Sequence, residues 1–210
     1  MCFILAFVAA FYLLICKFFD LIKKKFPQFH IDQHNQSYSP KETKEAKKCA
    51  TFNILLGMLI LYFIWQFIHI SSKSFGLIEV IKLLFMFFVS DTFFYWSHRI
   101  LHIPWIFKVA HKLHHSHNAP MTWTSLYVHP IEFTVALFSI FIVPLFLFDM
   151  HPLTVCLFLC GVIFSLVFSH SGLKFNSWID SSHHDLHHQK RRGNYGSDIG
   201  VWDFICGTRL

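Results

Sequence analysis

The chain has 210 residues, of which 54% are hydrophobic and only 14% are charged, whereas a soluble domain carries about a quarter charged residues. Its 27 phenylalanines lie in apolar runs and exceed what one aqueous core of this size could bury, which excludes an ordinary soluble domain and favours a polytopic membrane protein. The net charge of +6 comes from lysine and arginine clusters without interleaved aromatic residues or a nucleic-acid-binding motif, so no nucleic acid partner is expected.

Five apolar stretches follow in chain order, each near the roughly 20 residues that a membrane-spanning helix needs. They are predicted at Cys2–Phe19, Phe52–Ile70, Phe75–Trp96, Ile131–Phe148 and Pro152–Ser169. The first has no basic segment ahead of it and no clear A-x-A cleavage site, which favours a retained helix over a signal peptide. Pro144 interrupts the fourth stretch and should kink that helix. We therefore predict an all-α, multi-pass membrane protein with about five membrane-embedded helices.

The segment between the first two stretches is rich in lysine, and the positive-inside rule predicts that it is cytosolic. Its lysines are Lys23, Lys24, Lys25, Lys41, Lys44, Lys47 and Lys48. With this anchor, the turns Ser71–Ser74 and Asp149–Pro152 lie on the far side of the membrane. The third and fifth helices then return to the cytosol just before His98 and His170, so every histidine cluster is predicted on the cytosolic side.

Three clusters stand out among the 16 histidines. They are His98 with His102, His111 with His114 and His115, and His184 with His187 and His188. Histidines three or four positions apart on a helix project from one face about 5–6 Å apart, so such a pair can hold one metal ion. The HxxHH pattern adds a ring that can turn toward a second ion. With His170, and with His129 as a weaker candidate, the donors suffice for two metal ions.

The identity of the metal stays open at this level, because imidazole suits Zn, Cu, Fe and Ni. A structural zinc site closes with four ligands and usually includes cysteine, and the histidines here are too many for that. The HExxH motif of zinc hydrolases and the Glu-x-x-His pairs of soluble di-iron bundles are both absent from the sequence. A two-metal, all-histidine site at a membrane surface favours oxygen chemistry. A zinc transporter or sensor is the alternative, and it would need ionisable residues along a path inside the spans.

Two carboxylates are candidates for supporting the histidines. Asp91 lies seven residues before His98 and so on the same helical face, where it can accept a ring N–H and fix the tautomer. A plain interfacial carboxylate is the alternative interpretation of Asp91. Asp185 lies inside the third cluster and can play the same part or cap a helix.

The order of these motifs resembles the fatty acid hydroxylase superfamily of membrane sterol oxygenases, over about Val89 to Leu210. The segments Asp91–His102 and His111–Ser116 carry the resemblance, and Tyr127–Glu132 looks like the segment that follows in C-4 methylsterol oxidases. Four further segments look like cholesterol 25-hydroxylases: His151–Thr154, His170–Gly172, His184–His188 and Trp202–Thr208. Relatives often have an aromatic residue where this chain has Leu173.

The resemblance implies two iron ions, O2, and electrons from an external reductase or cytochrome b5, in an endoplasmic reticulum membrane. The family's ligand motifs fall on His98, His102, His111, His114, His115, His170, His184, His187 and His188, whereas some relatives lack a counterpart of His129. Residues 1–50 are then an N-terminal membrane helix with a basic cytosolic loop, and residues 51–210 a fatty acid hydroxylase-type catalytic domain. The implied reaction is hydroxylation or oxidation of a sterol or related lipid from the bilayer, with desaturation as the alternative within the superfamily.

Overall fold

The computed structural model describes residues 2–31, 38–71, 74–119, 121–177, 179–197 and 199–210. Over these ranges the chain is helical, with isolated β-bridges but no β-strand, so the predicted all-α class is confirmed. The long helices are α1 Cys2–Lys25, α2 Pro40–Ile64, α3 Leu77–Leu101 and α7 Pro152–Ser169. The short ones are α4 Pro104–Ile106, α5 Pro130–Ala136, α6 Val143–Leu145, α8 Ser182–Lys190 and α9 Val201–Ile205. Part of the predicted Ser71–Ser74 turn, residues 72 and 73, lies outside the described residues.

Three helices in the described ranges are long and apolar enough to cross a membrane. They are Ile4–Lys25, Pro40–Phe67 and Pro152–Ser169, which correspond to the first, second and fifth predicted stretches. Helix α3 is 25 residues long but contains Glu79, Lys82 and Asp91, and Pro130–Leu145 is a shorter apolar helix. Three of the five predicted stretches therefore form helices suited to crossing a membrane, and the number of about five membrane-embedded helices stays a prediction.

Helix α2 begins at Pro40 and not at the apolar Phe52, because a strong start signal precedes it. The Ser39 hydroxyl accepts a hydrogen bond from the Glu42 backbone N–H at 3.2 Å, and the Glu42 carboxylate accepts one from the Ser39 N–H at 2.8 Å. This reciprocal pair is a capping box, and Pro40 occupies the first turn, where its missing N–H is harmless. The lysine-rich residues after Pro40 consequently belong to the same helix as the apolar ones.

The fourth apolar stretch is irregular where Pro144 was expected to disturb it. Between α5 and α6 the chain forms a π-helix at Leu137–Ile142. Proline has no N–H to offer the carbonyl four residues earlier, and the Ile140 carbonyl accepts instead from the Ser90 hydroxyl of α3 at 3.0 Å. A side chain of the neighbouring helix thus stabilises the carbonyl that Pro144 leaves without its helical donor.

Helices α3 and α7 run parallel, with their N-terminal ends joined by a buried carboxylate. One oxygen of Glu79 accepts from the His151 N–H at 2.9 Å and from the Thr154 hydroxyl at 2.7 Å. The other oxygen pairs with Lys82 at 2.7 Å. We call Glu79, Lys82 and Thr154 the Glu79 cluster. Because the helices are parallel, their C-terminal ends bring His98 and His170 together at the opposite end of the molecule.

Large apolar side chains remain exposed along the long helices. On α2, Leu55, Leu59 and Phe63 are each more than half exposed and recur every four residues, so they form a stripe on one face. A soluble protein rarely exposes a patch of this kind, whereas lipid covers it without cost. The stripe and the three apolar helices indicate a membrane protein.

Candidate metal centre

Nine histidine rings converge in two compact groups at the C-terminal ends of α3 and α7. Group A consists of His98, His102, His111, His115 and His187, and group B of His114, His170, His184 and His188. Within each group the candidate ligand atoms lie within 4.8 Å of one another. All of the rings are buried except His102, which is half-buried. Each group could hold a metal ion.

Both HxxHH motifs are divided between the two groups. His111 and His115 belong to group A and His114 to group B, whereas His184 and His188 belong to group B and His187 to group A. In each motif the rings four residues apart share a group, with their Nε2 atoms 3.0 Å apart for His111 and His115 and 3.1 Å for His184 and His188. The ring at the fourth position of each motif, His114 or His187, points to the other group. Each motif therefore connects the two groups.

The spacing of the Nε2 atoms suits transition-metal ligands. Across chain segments, His98 lies 3.1 Å from His111 and His102 lies 3.1 Å from His187. In group B, His170 lies 3.1 Å from His184 and 3.4 Å from His114. Nitrogens bound at right angles to one ion, with bonds of about 2.1 Å, lie roughly 3 Å apart. The donor spacing therefore fits a metal ion in each group.

The outer nitrogens of four rings determine the tautomer. Nδ1 lies against a backbone carbonyl in His98 (Tyr195, 2.8 Å), His187 (Gly193, 2.7 Å), His170 (Leu166, 2.8 Å) and His188 (His117, 3.1 Å). A carbonyl can only accept, so Nδ1 carries the proton and Nε2 presents a lone pair to the centre. His170 and His188 both aim such lone pairs at His184 Nε2 from 3.1 Å. Converging lone pairs repel one another unless a proton on His184 or a metal ion lies among them, and imidazole nitrogens in this arrangement fit a metal.

Burial keeps these rings in the neutral form that binds metal. It lowers the pKa of His98 and His170 to about 4, although the carbonyl bonds at Nδ1 act in the opposite direction. Burial, and secondarily the neighbouring His98, lowers the pKa of His102 to about 3. Burial together with adjacent rings also lowers the pKa of His111, His114, His115, His184, His187 and His188.

Asp203 organises the loop whose carbonyls hold His98 and His187. Its carboxylate accepts from the backbone N–H groups of Tyr195 and Gly196 at 2.8 and 2.7 Å and from the Thr208 hydroxyl at 2.7 Å, and His183 Nε2 lies 3.3 Å away. Burial alone would raise the pKa of Asp203, but these hydrogen bonds lower it below its ordinary value. The fully buried carboxylate thus holds the loop against the rings of group A.

An apolar cavity opens onto rings of both groups, namely His98, His111, His114, His170 and His184. Glu132, at the start of α5, also lines it. One oxygen of Glu132 lies 2.8 Å from His111 Nδ1. Its other oxygen is buried and has no hydrogen-bond partner among the described residues.

Three residues predicted from the sequence lie outside the two groups. Asp91 accepts from the Ser197 backbone N–H at 3.2 Å, so the tautomer of His98 is fixed by the Tyr195 carbonyl and not by Asp91. His129 caps α5 by accepting from the Ile131 N–H at 3.2 Å. Asp185 is buried on α8. The burial of Tyr38, and secondarily the nearby charge of Asp185, raises the pKa of Tyr38.

Sequence reasoning missed the positions of Glu132 and Asp203 in the site. Glu132 did carry a signal, because an ionisable residue at the start of an apolar stretch suggests a functional contact. Asp203 lies in the segment Trp202–Thr208 that carries the family resemblance, but its role was not predictable, since its bonds to Tyr195 and Gly196 exist only once α9 has folded against the loop.

A family model described as fatty acid hydroxylase matches residues 83–208. The chain is 31% identical over 188 residues to methylsterol monooxygenase erg25B of Aspergillus fumigatus, covering 79% of this chain and 63% of the relative. It is 32% identical to the C-4 methylsterol oxidase erg25 of Schizosaccharomyces pombe, covering 58% and 45%. It is also 34% identical to a very-long-chain aldehyde decarbonylase of Oryza sativa, covering 61% and 52%.

The chain thus spans roughly half to two thirds of the length of these relatives. No solved structure matches it. All nine histidines of groups A and B lie inside the matched segment 83–208.

Proposed function

The chain belongs to the fatty acid hydroxylase family, and on that premise we propose that it is a membrane-bound di-iron oxygenase that hydroxylates or oxidises a sterol or related lipid with O2. The observation that carries the proposal is the convergence of nine ring nitrogens, in two groups, beside one apolar cavity. Relatives named methylsterol monooxygenases favour a methylated sterol as the substrate class. We propose residues 51–210 as the catalytic domain and residues 1–50 as a membrane helix with a basic cytosolic loop.

In this proposal groups A and B each hold one iron ion. Iron bound by such ligands supplies the means to activate O2 for attack on an unactivated C–H bond. The chain contributes the positioning. Backbone carbonyls keep the Nδ1 protons of His98 and His187 in place, which leaves Nε2 free to bind metal.

The cavity would hold the part of the lipid that reacts. Its walls include Phe94, Leu126, Phe133 and Phe141 beside the histidines, so they bind hydrocarbon and exclude water from the reacting carbon. A lipid can enter from the bilayer while its reacting carbon reaches the rings.

Hydroxylation places one atom of O2 in the product and reduces the other to water, which consumes two electrons and two protons. We propose that an external reductase or cytochrome b5 supplies the electrons at the cytosolic face of the endoplasmic reticulum membrane. Lys190, Arg191 and Arg192 follow the third histidine motif and offer positive charge to an acidic donor protein.

Expression in cells that lack their own methylsterol oxidases, with lipid profiling under ¹⁸O2, tests the proposal. We expect a sterol product that has gained one labelled oxygen and that is absent when His114→Ala is expressed. A product that has lost two hydrogens without labelled oxygen would indicate a desaturase. Uptake of zinc without any O2-dependent product would favour the transporter and contradict the proposal.

A further inference from the structure

We propose that Glu132 binds the hydroxyl group of the lipid substrate. We also propose that the oxidised carbon is a substituent on the ring carbon adjacent to the one that bears this hydroxyl. The inference rests on the proposed function and names the polar group of the substrate that the site recognises. It is carried by the unpartnered oxygen of Glu132 and by the contact of Glu132 with His111.

Glu132 holds the one polar atom of the cavity wall that stays unpartnered in the described part of the chain, apart from the histidine nitrogens. Its side chain is buried, and Oε2 has no hydrogen-bond partner there. The serines that line the same cavity are satisfied: Ser97 donates to the Phe94 carbonyl at 3.0 Å and Ser125 to the Thr122 carbonyl at 2.7 Å. Because an unpaired buried carboxylate oxygen is strongly unfavourable, it suits a ligand that brings a donor.

The position of Glu132 limits how far the bound hydroxyl can lie from the reacting carbon. Oε1 lies 2.8 Å from His111 Nδ1, and the opposite nitrogen of the same ring belongs to group A, 3.1 Å from His98 Nε2. A hydroxyl on Oε2 is then separated from the nitrogens that would hold metal by the carboxylate, one imidazole ring and the polar contacts that join them. Carbons close to that hydroxyl, and not those at the far end of the lipid, are the ones within reach of these nitrogens.

This geometry distinguishes between two classes of sterol oxidation. In a 4-methylsterol the 3-hydroxyl and the methyl group are on adjacent ring carbons, so one end of the molecule carries both. In side-chain hydroxylation the reacting carbon lies at the opposite end of the sterol from the 3-hydroxyl. Anchoring the hydroxyl at Glu132 therefore favours oxidation at C-4.

An apolar path for the remainder of such a sterol leads away from the rings. A second apolar cavity lies between α1, α2 and α7 and shares Leu126, Phe133 and Leu137 with the first. The shared walls make the two cavities neighbours in one apolar path. A rigid hydrocarbon skeleton anchored at Glu132 can extend along this path toward the membrane helices.

The test is an anaerobic binding measurement on the metal-loaded protein in lipid nanodiscs. The probes are a 4,4-dimethyl-3β-hydroxysterol, its 3-ketone and its 3-deoxy analogue. We expect the wild-type protein to bind the hydroxysterol at least tenfold more tightly than the deoxy compound. Glu132→Gln places an NH2 donor where the carboxylate accepts, so the ketone should gain at least tenfold relative to the hydroxysterol.

Glu79→Gln is the matched control, because it alters a buried glutamate whose two oxygens are already partnered at the other end of α3. It should leave the ratios unchanged. Equal binding of the hydroxy and deoxy sterols by the wild-type protein would overturn the inference. So would unchanged ratios in Glu132→Gln with full metal content; should that variant lose metal, the wild-type ratio alone decides.

Failure of the inference can be separated from failure of the proposed function. If the wild-type protein forms a labelled oxygenated lipid but does not discriminate among the three sterols, the oxygenase proposal is supported and the Glu132 site is contradicted. If it prefers the hydroxysterol but forms no oxygenated product, the Glu132 site is supported and the oxygenase proposal is contradicted.

Discussion

The two ends of the α3–α7 pair both bury polar side chains, but they satisfy them differently. At the N-terminal end, each oxygen of Glu79 meets a donor from the chain itself: Lys82 on one side, and Thr154 with the His151 N–H on the other. At the C-terminal end, His170 and His188 aim lone pairs at His184. At one end the polar groups are paired within the chain, and at the other the nitrogen donors are arranged so that they could hold a cation.

This difference separates a polar cluster that stabilises the fold from one that binds a ligand. Buried polar groups are normally paired within the protein. Where a chain pays the desolvation cost of nine imidazoles and leaves their lone pairs converging, the missing partner comes from outside the chain. Four variants test whether the C-terminal end binds metal while the N-terminal end only stabilises the fold.

The largest effect is expected from His114→Ala, which removes one of four donors in group B. Metal content should fall from two ions per chain to about one, and O2-dependent turnover should fall by more than roughly 100-fold, because even outer contacts to metal ligands are worth 10–100-fold. Elemental analysis and product formation measure both. His117→Ala is the control, since its carbonyl, which holds His188, remains. Full metal content in His114→Ala would contradict the assignment of group B.

Glu79→Ala should lower the stability of the fold and leave the metal content unchanged. Removing the carboxylate leaves the Thr154 hydroxyl and the His151 N–H without their acceptor, whereas Lys82 keeps the Asp149 carbonyl, so the free energy of unfolding should fall by about 2 kcal/mol. Metal content should stay at two ions per chain, because no group A or B residue contacts the Glu79 cluster directly. Thermal unfolding in detergent with elemental analysis checks the pair of values. Loss of metal in Glu79→Ala would show that the Glu79 cluster also supports the metal centre at the opposite end, which would contradict the distinction drawn between the two ends.

The histidine groups were accessible from the sequence because their spacing is local. Residues three and four apart on a helix share a face whatever the tertiary structure. The motifs beginning at His98, His111 and His184 therefore identify candidate metal-binding histidines from the sequence alone. The division of each HxxHH motif between two groups is also a local property, since its last two histidines are consecutive residues and so point in different directions. The three apolar helices were predictable for a similar reason, from length and hydropathy alone.

Contacts made only by tertiary packing were not accessible. Asp91 shares a helical face with His98, but the loop that α9 supports brings the Tyr195 carbonyl to that ring first. Likewise, nothing local joins Glu132 to His111, because α5 must pack against the π-helix Phe107–His111 for them to meet. The start of α2 shows the opposite case, in which the local capping signal at Ser39 was stronger than the hydropathy pattern.

Asp203→Asn tests whether a residue outside group A can weaken that group alone. An amide offers the Tyr195 and Gly196 N–H groups one acceptor in place of two, so the loop should loosen around His98 and His187. Metal affinity of one site should fall by about 10–100-fold while the other site is unchanged, which a competitive metal titration resolves. Asp20→Asn, at a carboxylate that accepts from the Thr122 hydroxyl and the Trp123 indole N–H away from the two groups, is the matched control. Equal weakening of both sites would assign Asp203 to global stability only.

The smallest effect is expected from His129→Ala. His129 precedes Pro130 and accepts from the Ile131 N–H, as His151 precedes Pro152 and accepts from the Leu153 N–H. Both are helix caps, and loss of such a cap costs about 1 kcal/mol. Each alanine variant should therefore lower the unfolding temperature slightly and equally, with two metal ions retained. If His129→Ala alone lost metal, His129 would be a ligand after all, because the two caps are otherwise alike and only His129 lies three residues from Glu132.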